Sequence, residues 1–139
     1  MNFDDSRFIA AQQTTYASAL IELRAGHKRG HWMWFIFPQL RSLGRSETAR
    51  MFGLEDLAEA ESYLRHPVLG QRLIDATNTV LDSGDNSLRD IFGYPDDLKF
   101  ISSMTLFSAT NQAPKIFQQA LQKFNAGQPD PLTLALLKH

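Results

Sequence analysis

An apolar, aromatic segment carries the strongest fold signal in this chain, and it reads Gly30-His31-Trp32-Met33-Trp34-Phe35-Ile36-Phe37-Pro38-Gln39-Leu40. Six consecutive residues in it, Trp32 to Phe37, are apolar, and both tryptophans of the protein lie there. The run has neither the alternation of a half-exposed strand nor the single stripe of a surface helix. Because an aromatic side chain buries roughly 150–250 Å², we expect this aromatic run (residues 32–37) to anchor the core.

The composition favours one domain. The chain has 139 residues, of which 43% are hydrophobic, and domains commonly contain about 100–150 residues. We therefore treat residues 1–139 as a single domain. The 14 basic and 15 acidic residues leave a net charge of -1, so general attraction to nucleic acid or to an anionic membrane is not expected.

The absence of cysteine and of targeting signals indicates the cellular compartment of the protein. The chain has no cysteine, which excludes disulfides and thiolate metal sites and is typical of a reducing compartment. The acidic N-terminal segment lacks the apolar core of a signal peptide, and the aromatic run is far shorter than the ~20 residues that span a bilayer. These observations predict a cytoplasmic protein.

Glycines and prolines punctuate about seven helical patterns around the aromatic run. The patterned segments are Ser6 to Arg24, Ser46 to Met51, Glu55 to Leu64, Pro67 to Gly84, Ser87 to Gly93, Pro95 to Ala109, Pro114 to Gly127 and Leu132 to Leu137. No hairpin signal accompanies them. For the aromatic run a short buried helix is favoured, and a buried strand is the alternative.

The segment from Pro95 to Ala109 is apolar almost all round its helical circumference. A helix of this kind belongs in the interior. We therefore predict an all-α fold, with about seven short helices around a central apolar helix and a buried aromatic segment.

Five segments in the same order resemble the bacterial family catalogued as domain of unknown function 1810. They are His31 to Leu40, Leu43 to Ser46, Tyr63 to Gly70, Ile91 to Phe100 and Ser102 to Phe107. The resemblance covers nearly the whole chain and implies a cytoplasmic, all-helical protein, but it supplies no activity. Members are often labelled calpastatin-like. The inhibitory segments of true calpastatin are disordered, whereas this composition is typical of a folded domain.

Polar residues beside the aromatic run and on the Pro95–Ala109 helix predict one polar-lined pocket. Trp34 would supply a stacking face, and His31 and Gln39 would orient a ligand by hydrogen bonds. Lys99 and Ser103 would form the opposite wall. With Asp97, the candidate ligand-binding residues are His31, Trp34, Gln39, Asp97, Lys99 and Ser103. The predicted ligand is a small anionic or nucleotide-like molecule, since aromatic faces and basic side chains stack bases and hold phosphates.

Two further functions fit the same residues. One is an enzyme acting on a nucleotide or ADP-ribose-type substrate, with His31 or Asp97 as general acid or base. The other is a protein-interaction module or a purely structural domain, which would expose an apolar patch. Lys99 could also serve only as the ion-pair partner of Asp96 or Asp97. Ser102, Ser103 and Thr105 could simply bond the preceding helical turn.

No metal site or cofactor is predicted. His27 and His31 are four residues apart, which is metal-ligand spacing on a helix. However, Gly26 and Gly30 disfavour a helix there, and no carboxylate lies between the two histidines. The basic residues near the aromatic run indicate either an anion site or a solvated rim. They are Arg24, Lys28, Arg29, Arg41, Arg45 and Arg50.

Overall fold

Ten α-helices and one 3₁₀ turn follow one another in the structure, a computed structural model that describes residues 3–138. The helices are α1 (Ser6–Gln13), α2 (Tyr16–Arg24), α3 (Met33–Ile36), α4 (Glu47–Met51), α5 (Leu57–Arg65), α6 (Leu69–Leu81), α7 (Leu88–Phe92), α8 (Asp96–Ser108), α9 (Lys115–Asn125) and α10 (Pro131–Leu137), and the 3₁₀ turn is Arg41–Leu43. Extended backbone pairs only at an isolated parallel bridge between Leu40 and Leu54 within this range. The all-α prediction is confirmed. None of these helices is long and apolar enough to cross a bilayer.

The segment from Ser6 to Arg24, predicted as one helix, is divided into α1 and α2. The break falls at Thr14 and Thr15, where the Thr15 amide bonds the Gln12 carbonyl at 3.2 Å. Two adjacent β-branched residues lose rotamer freedom in a helix, which makes this a favourable place to interrupt it. The division turns α2 toward α6, against which it packs.

The aromatic run forms the single turn α3, so the predicted short helix is present. Phe37, which follows α3, has φ -125° and ψ 76°. A residue before proline is disfavoured in the helical region, and Pro38 therefore ends the turn. Trp32, Met33, Phe35, Ile36 and Phe37 are buried, whereas Trp34 is only half-buried.

Helix α8 occupies the centre, as predicted. All residues from Phe100 to Phe107 are buried, and α8 packs against α5, α7, α9 and α10. Phe37 of the aromatic run meets Phe100 edge to face, with ring centroids 5.1 Å apart. This contact places the aromatic run beside the first turns of α8.

Side chains close the helix N-termini at the positions that the sequence marks. Ser46 accepts a hydrogen bond from the Ala49 amide at 3.1 Å, and Ser87 forms a capping box with Asp90. His66 Nδ1 accepts from the amides of Val68 and Leu69 at 3.1 and 3.2 Å. Such caps satisfy amides that have no partner inside the helix.

Gly70, the second residue of α6, lies against the backbone of Leu64 near the end of α5. A Cβ atom on this residue would lie 2.1 Å from the Leu64 carbonyl oxygen. Gly70 is fully buried, so neither backbone can move away without disturbing the core. Gly70 therefore permits a close backbone contact that any larger residue would obstruct.

We expect Gly70→Ala to destabilise the protein by about 2 kcal/mol, because the added methyl overpacks a tight contact. In a helix whose glycine faces solvent, the same change stabilises the protein by about 1 kcal/mol. The sign of the change in unfolding free energy therefore shows whether Gly70 lies in a tight contact. Urea denaturation measures the free energy of unfolding. Asn78→Ala, at an exposed position of the same helix, is the control and should be neutral or stabilising. A stabilising Gly70→Ala would contradict this account of the α5–α6 contact.

Candidate functional site

Trp34 borders a crevice between α3, α4 and α8. Its apolar lining includes Met33, Phe37 and Phe52, and its polar lining comprises Trp34, Gln39 and Lys99. The free volume is about 10 Å³, which is close to the least that one water molecule needs. The crevice therefore accepts one small polar group, and any larger ligand must extend outside it.

Two lysines share one carboxylate beside this crevice. Asp96, the first residue of α8, has Oδ2 at 2.9 Å from Lys28 Nζ and Oδ1 at 3.4 Å from Lys99 Nζ. Each ammonium also faces an indole: Lys28 lies 5.2 Å from the Trp32 ring centroid, and Lys99 lies 5.5 Å from that of Trp34. The pairing of Lys99 with an acidic neighbour, one of the sequence interpretations, thus involves Asp96.

The two lysines differ in how fully their donors are used. Lys28 Nζ donates to the Gly30 carbonyl at 2.6 Å besides its contact with Asp96. Lys99 Nζ makes no hydrogen bond to any residue in the described range 3–138, although an ammonium has three donors. Its side chain is 27% exposed, against 9% for Lys28. Lys99 is therefore the more available cation, and it lines the crevice.

Gln39 and Trp34 add further unused hydrogen-bonding groups. The backbone of Gln39 is held in place because its carbonyl accepts the Leu54 amide at 2.9 Å. The Gln39 side-chain amide and the Trp34 Nε1–H make no hydrogen bond to the part of the chain described here, and both residues are only half-buried. Three neighbouring side chains that line one crevice thus keep donors open to solvent or to a ligand.

Ser103 is fully buried, and its hydroxyl has no hydrogen-bond partner among residues 3–138. Its neighbours follow the usual pattern, since Ser102 donates to the Leu98 carbonyl at 3.2 Å and Thr105 to the Ile101 carbonyl at 2.8 Å. The interpretation that all three hydroxyls bond the preceding turn therefore holds for Ser102 and Thr105 only. Ser103 follows Lys99 by four residues and shares its face of α8.

Ser103 and the remaining two candidate residues, His31 and Asp97, do not line the crevice. His31 is exposed on the loop before α3. Asp97 is buried, accepts the Leu98 amide at 2.9 Å and lies 3.6 Å from Arg89 Nε. The structure thus brings together Trp34, Gln39 and Lys99 in the crevice lining, whereas His31, Asp97 and Ser103 lie outside it.

Glu22, which no sequence pattern indicated, organises the loop before the aromatic run. Its Oε1 accepts hydrogen bonds from the amides of Arg29 and Gly30 at 2.7 and 2.9 Å and from Trp32 Nε1 at 2.9 Å. Burial raises the pKa of the Glu22 carboxyl, but these three hydrogen bonds and nearby Lys28 outweigh burial and hold the pKa below its ordinary 4.5. Such long-range pairing of a carboxylate with loop amides leaves no periodic trace in a sequence.

No metal centre is evident in the part of the chain that the structure covers. No group of three or more histidine, aspartate or glutamate side chains between residues 3 and 138 is placed to hold an ion.

Comparisons with known proteins confirm the family resemblance. The family described as Protein of unknown function (DUF1810) matches residues 2–137. The crystal structure of the conserved hypothetical protein Rv1873 from Mycobacterium tuberculosis is similar to this chain, with 50% sequence identity and a TM-score of 0.96. The alignment covers 99% of this chain and 98% of that one. No curated protein matches the chain.

We expect the contribution of Glu22 to stability to depend on pH in a defined direction. Because its folded-state pKa is lowered, the stabilisation is complete above the unfolded value of 4.5 and is lost as the pH falls through the folded-state value. The difference in unfolding free energy between the wild type and Glu22→Gln should therefore shrink on acidification. Urea denaturation from pH 3 to pH 7 measures it. A difference that stays constant over this range would contradict the assignment.

We expect Ser103→Ala to stabilise the protein by about 1 kcal/mol, because it removes a buried hydroxyl that has no partner. Thermal and urea denaturation measure the change. Thr105→Val is the control on the same helix and should destabilise, since the Thr105 hydroxyl also accepts the Asp130 amide at 2.8 Å. A loss of stability in Ser103→Ala would show that its hydroxyl is already satisfied.

Proposed function

The chain belongs to the DUF1810 family, and we propose that its crevice binds a small anionic, nucleotide-like ligand through Lys99 and Trp34. The observation that carries this proposal is the Lys99 ammonium, which lines the crevice without a hydrogen bond to any residue described.

The chemistry of the crevice favours an anion over a neutral or cationic group. An ammonium and an indole N–H only donate hydrogen bonds, and a glutamine amide can do so as well. Donors on side chains that line one small space are suited to ionised carboxylate or phosphate oxygens, which only accept. Charge-assisted hydrogen bonds of this kind are also about twice as strong as neutral ones.

The size of the crevice defines how the ligand would lie. Only one water-sized group fits inside, so one anionic oxygen would enter and meet Lys99. The rest of the ligand would cover the exposed part of the Trp34 indole.

A ring stacked on Trp34 would have to displace the Lys99 ammonium from the indole face, where it lies 5.5 Å from the ring centroid. An exposed cation–π contact is worth about 0.5–1 kcal/mol. Stacking of a base on an aromatic side chain is worth about 1–3 kcal/mol. The exchange is therefore favourable, and the released ammonium would turn to the anionic group.

The alternatives have less support. The enzyme hypothesis relies on His31 or Asp97, and neither lines the crevice. The interaction hypothesis needs an exposed apolar patch, whereas the exposed large apolar side chains are dispersed over α2, α4, α8, α10 and connecting loops, namely Ile21, Met51, Val68, Tyr94, Leu98, Leu132 and Leu134. Both functions stay open, as does the cytoplasmic location predicted from composition and resemblance.

Titration with adenosine monophosphate, adenosine and inorganic phosphate tests the proposal. Isothermal calorimetry gives the affinities. A ligand that stacks on Trp34 should also change the tryptophan fluorescence, because Trp34 is half-buried and within reach of the ligand, whereas Trp32 is buried. We expect the monophosphate to bind most tightly and Lys99→Met to weaken it at least ~10-fold, since the charge-assisted contact is lost.

Lys115→Met is the matched control, because Lys115 is exposed on α9 and lies outside the crevice. It should leave the affinity unchanged. Circular dichroism confirms that each variant is folded. Equal affinities for the wild type and Lys99→Met, or no binding of any of the three compounds, would refute the proposal.

A further inference from the structure

We infer that Asp96 is a built-in competitor of the ligand for Lys99, so that its carboxylate controls the affinity and charge selectivity of the crevice. The inference rests on the proposed function and concerns a residue that makes no part of the crevice lining. Asp96 acts on the ligand through Lys99 and is therefore a positioning residue.

The two contacts of Asp96 are unequal. Its Oδ2 lies 2.9 Å from Lys28 Nζ, whereas its Oδ1 lies 3.4 Å from Lys99 Nζ. Asp96 therefore lies closer to Lys28 than to Lys99, and its contact with Lys99 is the weaker of the two ion pairs.

Lys28 is fixed by its other neighbours as well. Its ammonium donates to the Gly30 carbonyl at 2.6 Å and lies on the Trp32 indole, and its own amide donates to the Ile91 carbonyl at 2.6 Å. Its side chain is 9% exposed. When a ligand takes Lys99, Asp96 keeps a partner, so the carboxylate is not left unpaired by ligand binding.

The charges explain why Asp96 would limit affinity. Asp96 and its two lysines together carry a charge of +1, and the carboxylate offsets part of the attraction that the lysines exert on an anion. An incoming phosphate must replace the Asp96–Lys99 contact and also approach a like charge. At short range in a protein, charges interact more strongly than they do in water. Removal of the Asp96 charge should therefore raise the affinity of the crevice for anions and leave its affinity for neutral molecules unchanged.

The experiment compares the wild type with Asp96→Asn by calorimetric titration in 150 mM salt. We expect the affinity for adenosine monophosphate to rise at least ~10-fold, and the affinity for adenosine to stay the same. In the Lys99→Met background, Asp96→Asn should give no such gain, because the effect is transmitted through Lys99. If the role of Asp96 were merely structural, the substitution would change the affinities for both compounds alike.

Asp97→Asn is the matched control. It makes the same change on the adjacent residue, whose carboxylate pairs with Arg89 and with neither lysine. We expect it to change the affinity for the monophosphate less than ~3-fold. If Asp96→Asn does not fold, Asp96→Ser takes its place with the same expectation, because serine also removes the negative charge.

The outcomes separate this inference from the proposal beneath it. If the wild type and Asp96→Asn bind the monophosphate with equal affinity, the inference is overturned and the proposed function still stands. A gain of affinity in Asp96→Asn that is lost in the Lys99→Met background supports the inference. An absence of binding in the wild type refutes both, whether or not Asp96→Asn binds.

Discussion

Packing of the aromatic run against α8 is the constraint on which the rest of the structure depends. Phe37 and Phe92 both pack on Phe100, each with ring centroids 5.1 Å apart, and Trp32 packs on Phe92 at 6.4 Å. Such aromatic pairs add about 0.5–1.5 kcal/mol each beyond the area they bury. Because α3 is one turn long, its position depends on these contacts and not on its own helical stability.

That constraint also produces the crevice. Met33, Phe35 and Ile36 point into the core, and a single helical turn cannot direct all four of its side chains to one side. Trp34 is therefore left at the surface, next to the first turn of α8. Lys99 reaches its indole from α8, and Gln39 comes from the segment that Pro38 turns away from α3.

Buried polar groups lock the same region from the opposite side. Gln12 of α1 donates to the Phe35 carbonyl at 2.6 Å and to the Tyr63 hydroxyl at 3.0 Å, and it accepts from Arg72 Nη1 at 3.3 Å. Burial raises the pKa of Tyr63, so its hydroxyl stays neutral. These bonds, with those of Glu22 to the loop before α3, tie the aromatic run to α1, α2 and α5. A crevice whose walls are held in this way can present Lys99 and Gln39 in a defined arrangement.

The sequence alone predicts the all-α class, the central place of α8, the short helix in the aromatic run and most helix boundaries. These features depend on local patterns of apolar residues, glycine, proline and capping side chains. The break between α1 and α2 was not evident, since no glycine or proline marks it. The sequence also nominated Trp34, Gln39 and Lys99, but it grouped them with His31, Asp97 and Ser103, which do not line the crevice. Only the tertiary structure separates these, because the direction of a side chain on a short loop or at a helix start depends on what packs around it. For the same reason Glu22 and Asp96 emerge only in three dimensions: their partners lie on other segments of the chain, and no spacing in the sequence records that proximity.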